Sequence, residues 1–418
     1  MPCANLLRLV ATTAAAACFE ISERASGIPE ALSISINQLV YDRRRQGEDV
    51  TVLSLGEAFF DIPLFDFRAL DVTKGYHYSD SQGIPELRRV IANYYQKHYN
   101  APVDPDRELL ITAGSKAAIF MAMQTTLNPG DELLIHEPAW LSYQEQARLV
   151  GATPRFIPCD CAPAQFSKWM GPRTRMLVIN NPNNPAGRVY SRAELSDIHR
   201  QCQERGIYLL VDEAYSDFVL DGSFASLAEL APDKRGVIVV NSLSKNLGMS
   251  GWRVGYTITS PELIQPLLKV NQHIITCGPT ILLYYMARYF DDIIAVTLPQ
   301  VRQVVEKRER IGRYMDELGL RRMDGSATFY FFVSTGDFPG TDMEFALSLL
   351  LDHGIAVVPG SAYGASTNRY VRVSVGTESE ERLHQALRRI RERTLVKEFD
   401  HARLRAAMES AGITSIKV

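Results

Sequence analysis

The stretch NSLSKNLGMSGWRVGY, residues 241–256, sets Lys245 behind two serines, Ser242 and Ser244, and places Arg253 eight residues after it. A lysine on a solvated loop needs no such surroundings. In water its amine has a pKa of about 10.4 and is a poor nucleophile at neutral pH; desolvation or nearby positive charge lowers that value and frees the lone pair. The chemistry these residue types suit is a reversible bond from an amine to an aldehyde. It would form beside a phosphate that hydroxyls and a guanidinium can hold.

Other residues supply complementary groups. Asp212 ends the apolar run YLLVDEAY, where a carboxylate is costly unless it meets a cation or caps a helix. Tyr215 follows three residues later and could hydrogen-bond a ring oxygen. Asn184, in NNPNNPAG, could donate to the same oxygen and to a carboxylate, or simply serve a turn. Ser115 and Lys116 open a helical pattern after Gly114, and their free amides suit an anion. Trp140, in EPAWLSY, could stack on a flat ring or pack in a core. Arg372 interrupts the valines of YVRVSVG. It could grip a carboxylate bidentately or stand as an exposed strand charge. An amine for an aldehyde, an acid for a pyridine nitrogen, a phosphate cradle and a cation for a substrate carboxylate are the needs of pyridoxal 5'-phosphate.

Elements must bring these groups together. Residues 108–114, 131–138, 175–182, 207–215 and 236–244 each read as a buried strand ending in Gly, Pro, Asn, Asp or Ser. Helical patterns lie between them, such as 115–127 and 191–206, the latter opening with a capping box of Ser191 and Glu194. Strand then helix, repeated, predicts an α/β fold: a mostly parallel central sheet with helices on both faces. Ligands of such sheets gather at the carboxyl ends of the strands. Residues 114–116, 181–187, 212–215 and 242–245 all fall there.

Beyond about residue 290 a long helical pattern (294–318), an aromatic strand (326–334), a helix, two further strands and a last helix predict a smaller α+β domain. The expected division is a large domain at 46–292, a small domain at 20–45 and 293–418, and an amphipathic or poorly ordered N-terminal segment at 1–19.

The bulk properties narrow the function. The 418 residues are 46% hydrophobic, ample for more than one core. A net charge of -3 gives no bulk attraction for nucleic acid or an anionic membrane. No apolar run reads as a transmembrane helix. Six cysteines without CxxC spacing predict neither a disulfide framework nor a metal site, and suit a reducing, cytoplasmic compartment.

Six motifs then share one order and spacing: YSDSQGIPELR, ITAGSKAA, NNPNNPAG, VDEAYSDF, SLSKNLGMSGWRVGY and YVRVSVG. They resemble those of the fold-type I pyridoxal-phosphate aminotransferases, the class I and II group, from about residue 25 to 395. The resemblance implies a Schiff base on Lys245, a pyridinium partner in Asp212, and ring-oxygen contacts from Tyr215 and Asn184. It implies a phosphate cup of Ser115, Lys116, Ser242, Ser244 and Arg253, ring stacking by Trp140, and carboxylate binding by Arg372. Gly56 matches a glycine whose backbone borders the substrate carboxylate. Tyr78 matches a tyrosine that reaches the phosphate of a neighbouring subunit, which implies a homodimer with shared active sites. The implied reaction moves an amino group between an L-amino acid and a 2-keto acid. Two departures stand out: Ala58 replaces the proline usual after the glutamate that follows Gly56, and Ala186 replaces a threonine. The first borders the substrate, so a lyase, cyclase or oxidase on the same scaffold is the rival reading.

Overall fold

The computed structural model describes residues 20–411 and residue 413. The segment 1–19 singled out above lies outside them. The chain opens with a short helix α1 (Glu23–Ser26), the helix α2 (Leu32–Arg45) and the two-residue strand β1 (Thr51–Val52). Helix α3 (Pro85–Tyr99) follows, started by Pro85 and stopped by Asn100 in the left-handed conformation.

The central sheet is built from β2 (Leu109–Thr112), β3 (Glu132–His136), β4 (Thr153–Ile157), β5 (Thr174–Asn180), β6 (Tyr208–Asp212), β7 (Val237–Ser242) and β8 (Gly255–Thr259). Their spatial order is β2-β8-β7-β6-β5-β3-β4. Every pairing is parallel except those of β8, which runs antiparallel to both β2 and β7. The helices between the strands are α4 (Ser115–Thr126), α5 (Ser142–Leu149), α6 (Arg192–Gln203), α7 (Leu227–Leu230) and α8 (Pro261–Ile274). The capping box of α6 forms as expected from Ser191 and Glu194. Two separate apolar clusters use alternate residues of β6, Leu209 and Val211 in one and Leu210 in the other, so the sheet is covered on both faces. The α/β fold expected from the strand-helix alternation is the one observed. Strands β4 and β8 were not among the expected strands. β8 begins in the last two residues of the motif that carries Lys245 and runs on beyond it.

Helix α9 (Thr280–Glu317) starts 14 residues earlier than its pattern suggested and runs 38 residues, past Pro299. Its first half, with Leu283, Met286 and Phe290, packs into the core beneath the central sheet. Its second half, with Val301, Val305 and Ile311, packs into another core with β9 (Tyr330–Ser334). Helix α10 (Asp342–His353), strands β10 (Ile355–Ala356), β11 (Val358–Pro359) and β12 (Tyr370–Ser374), and helices α11 (Glu380–Thr394) and α12 (His401–Ser410) complete the chain. β12 lies between β11 and β9, antiparallel to both, and β1 pairs parallel with β10. Ile36 and Val40 of α2 share a core with Leu347 and Leu350 of α10. Residues from the start of the chain thereby join those from its end.

Candidate active site

Register aligns the rim. Thr112 of β2 pairs with Gly255, and Gly255 pairs with Ser242 of β7. Asn180 of β5 pairs with Asp212 of β6. Gly255 matters because the start of α4 presses on it: a Cβ there would lie 2.5 Å from the Ser115 amide nitrogen. Gly114 turns the chain into α4 with φ of 84°, and the helix has no side-chain cap. Its first amides are left for another acceptor.

A cavity of about 570 Å³ opens at this rim. Twelve of the thirteen residues expected from the sequence line it: Gly56, Ser115, Lys116, Trp140, Asn184, Asp212, Tyr215, Ser242, Ser244, Lys245, Arg253 and Arg372. Tyr78 is the exception. It stands at the surface, 85% exposed.

The Lys245 amine donates to the Gly56 carbonyl at 2.6 Å and lies 5.6 Å from the centre of the Tyr215 ring. Burial pulls its pKa down to about 8. Arg372 and Arg253 push the same way, while Glu57 and Asp212 oppose. Asp212 is buried; its Oδ2 accepts from the Tyr143 hydroxyl at 2.7 Å and its Oδ1 from the Ala214 amide at 3.1 Å. No helix follows it directly, so it is not a helix cap. Burial raises its pKa above the usual carboxylate value, and these hydrogen bonds only partly offset that rise. A buried acid held in this way calls for a cation opposite.

Arg372 is 4% exposed, which excludes a solvated strand charge. Val371 and Val373 belong to the β9 core, and the guanidinium lies 4.5 Å from the centre of the Tyr330 ring. It donates to Asn184 Oδ1 at 3.1 Å and to the Ser54 carbonyl at 2.7 Å, while its Nε is buried without a partner. Burial disfavours its charge, but the hydroxyls of Tyr363, Tyr330 and Tyr215 outweigh that and raise its pKa. Asn184 sits on the loop after β5, between two cis Asn-Pro bonds. Its side-chain amide lies 3.4 Å from the Tyr215 hydroxyl, which meets the Tyr330 hydroxyl at 2.9 Å.

The anion cradle is equally specific. The Ser244 hydroxyl is buried without a partner, and the Ser244 amide donates to Ser242 Oγ at 3.1 Å. Arg253, left-handed with φ of 55°, fills the space that a Cβ on Gly114 would need, 2.4 Å from its Nη2. The Lys116 amine lies 5.2 Å from the centre of the Trp140 ring. These orphaned groups and the uncompensated acid fit a flat, cationic heterocycle bearing an aldehyde and a phosphate.

Sequence reasoning missed several wall residues. Tyr330 stood within the aromatic strand and so carried a signal, as did Tyr143 of EPAWLSY, which bonds Asp212 without lining the cavity. Glu57 and Ser54 carried none beyond nearness to Gly56, and Asn37, on α2, carried none.

A family model described as aminotransferase class I and II matches residues 32–390. A (5-formylfuran-3-yl)methyl phosphate transaminase of Methanocaldococcus jannaschii is 31% identical over 83% of this chain and 92% of its own length. A probable aspartate/prephenate aminotransferase of Thermus aquaticus is 31% identical over 88% of this chain and 98% of its own. Among solved structures, the aspartate aminotransferase of Thermus thermophilus with maleate superposes with a TM-score of 0.83. It is 29% identical and covers 90% of this chain and 100% of its own.

Proposed function

The chain belongs to the aminotransferase class I and II family, and on that premise we propose that it works with pyridoxal 5'-phosphate held by Lys245. It is an enzyme that transfers an amino group between an amino acid and a 2-keto acid. The observation that carries the cofactor reading is a pair in one cavity: a buried Asp212, whose pKa burial raises despite Tyr143, Ala214 and Lys245, and a Lys245 amine lowered to about 8.

Pyridoxal phosphate, when bound, supplies an aldehyde that condenses with amines and a protonated ring that withdraws electrons from the adjacent carbon. Asp212 would hold the ring nitrogen protonated, and the Tyr143 hydroxyl fixes which way its carboxylate faces. The amides at the start of α4, with Ser242, Ser244 and Arg253, would hold the phosphate. Trp140 would cover the ring, and Tyr215 and Asn184 would hold its oxygen. Arg372 binds the α-carboxylate of the amino acid, with Asn184 already oriented against it. Lys245 then removes the proton from Cα. A base of pKa about 8 is matched to that task near neutral pH, because it releases and recovers protons over a small free-energy range.

The same proposal includes a homodimer, in which exposed Tyr78 reaches the neighbouring site. It includes the two-domain division at 46–292 against 20–45 and 293–418, with α9 shared between two cores. It also assigns the enzyme to the cytoplasm, a compartment that suits the free thiols Cys159, Cys161, Cys202 and Cys277. Among the described residues no helix is long and apolar enough to cross a membrane.

Borohydride reduction in the presence of pyridoxal phosphate, followed by peptide mapping, tests the central assignment. The label is expected on Lys245 and absent from Lys245→Ala. A label on another lysine overturns it.

A further inference from the structure

The segment 56–62, where the chain departs from the family pattern, lies across the lysine loop. Glu57 Oε1 accepts a hydrogen bond from Ser250 Oγ at 2.6 Å. Phe60 and Ile62 close on Gly248, where a Cβ would meet them at 2.7 and 3.2 Å. At its far end the Asp61 amide donates to Gln300 Oε1 of α9 at 2.8 Å, and Gln300 Nε2 donates back to the Asp61 carbonyl at 3.0 Å. Gly376, beyond β12, presses on the Glu57 carbonyl so closely that a Cβ would lie 2.1 Å from it. Glu57 is thus clamped from several sides and lines the same cavity as Lys245, whose amine donates to the residue just before it.

The charged and titratable groups around Lys245 come from every neighbouring element. Asp212 and Tyr215 come from the end of β6, Lys116 from the start of α4, Arg253 from the approach to β8, Arg372 from β12, Tyr330 from β9, and Glu57 from the segment after β1. Two guanidiniums and burial disfavour the ammonium, and of the two acids Glu57 opposes them more strongly. Asp212 is engaged by Tyr143 and faces the need for a ring cation, which leaves Glu57 to serve the lysine.

We propose that Glu57 is a positioning residue for amino transfer: tethered by Ser250, its carboxylate is the counter-charge that sets how readily Lys245 holds and releases a proton. The inference rests on Lys245 being the reacting amine. It concerns the lysine itself and is read without any bound cofactor.

The experiment is pulse acetylation of the full chain with acetic anhydride, from about pH 6 to about pH 10, with Lys245 followed by peptide mass mapping. Glu57→Gln keeps the hydrogen-bonding shape and removes the charge. It is expected to move the Lys245 midpoint down by about one pH unit, with labelling below the wild-type midpoint rising up to about tenfold. Glu57→Asp is expected to stay closer to wild type, and Ser250→Ala to move the same way as Glu57→Gln by less. Melting curves establish that each variant is folded. An unmoved midpoint in Glu57→Gln overturns the proposal, as does an equal shift in Glu57→Asp, which would mean packing rather than charge. Should Glu57→Gln fail to fold, an unmoved midpoint in Ser250→Ala overturns it. A wild-type chain that traps no pyridoxal phosphate on Lys245 sinks the functional reading instead, and leaves the midpoint comparison readable.

Discussion

At the scale of single residues, the site is assembled from groups that are costly where they stand. Asp212 is the clearest. Its raised folded pKa means that the folded chain holds this proton to higher pH than the unfolded chain, whose acid titrates near 3.8. The stability this group contributes is present below that value and is lost as pH rises through the folded pKa. In cofactor-free protein at neutral pH, Asp212→Asn is therefore expected to raise stability by about 1–3 kcal/mol, an advantage that fades toward acid. The same substitution is expected to lower kcat by on the order of a hundredfold or more, because the ring nitrogen loses its anion. Melting curves across pH and steady-state rates measure the two halves. Arg372 makes a second case. Its fork donates to Asn184 and Ser54 at once, a geometry that one ammonium cannot reproduce. Arg372→Lys is expected to lower kcat/KM for the amino acid by about 10- to 100-fold, chiefly through KM, while cofactor trapping on Lys245 persists.

At the scale of elements, positioning depends on a few backbone positions where no side chain fits. The start of α4 can face the cavity only because Gly114 adopts φ 84° and ψ 162° and leaves room for Arg253. Gly114→Ala is expected to cost about 1–3 kcal/mol of stability and to weaken pyridoxal-phosphate binding, since a Cβ would displace the guanidinium. Fluorescence titration with the cofactor, beside thermal unfolding, checks this. The elements were unevenly legible. Strands β3, β5, β6 and β7 are continuous apolar runs buried on both faces, so composition announced them. β8 was masked because it starts at the end of the polar lysine motif, and its antiparallel course places Gly255 between Thr112 and Ser242. The early start of α9 was missed because its first turns carry tyrosines and methionine around a broad apolar face, without a cap to mark an onset.

At the scale of the whole molecule, the two cores are joined through buried polar groups. Arg308 of α9 donates to the carbonyls of Tyr330 at 2.9 Å and Gly325 at 2.7 Å. It also reaches the Ala186 carbonyl, on the loop that carries Asn184. Burial lowers its pKa to about 10. Glu137, after β3, accepts the amides of Ala365 and Ser366, which lie between β11 and β12. Leu64, Tyr76 and Tyr78 are all large side chains left in solvent, which accords with the proposed homodimer. The chain is expected to sediment at twice the 46.8 kDa of one copy. Tyr78→Ala is expected to keep that mass while weakening cofactor binding by about tenfold. A monomer in sedimentation velocity overturns the shared-site reading.

The sequence by itself determined the repeated strand-helix order, the residues at the strand ends and the family, because buried strands and their punctuation are local patterns. It also singled out twelve of the twenty-one residues that line the cavity, among them Lys245, Asp212 and Arg372, types that are costly to bury without a task. Only the tertiary structure decided that Arg372 is buried against Tyr330, that Tyr143 holds Asp212, and that Glu57, bonded to Ser250, lines the cavity of Lys245. Those relations join residues up to hundreds of positions apart. They follow from strand register and the packing of two cores, which no spacing along the chain encodes.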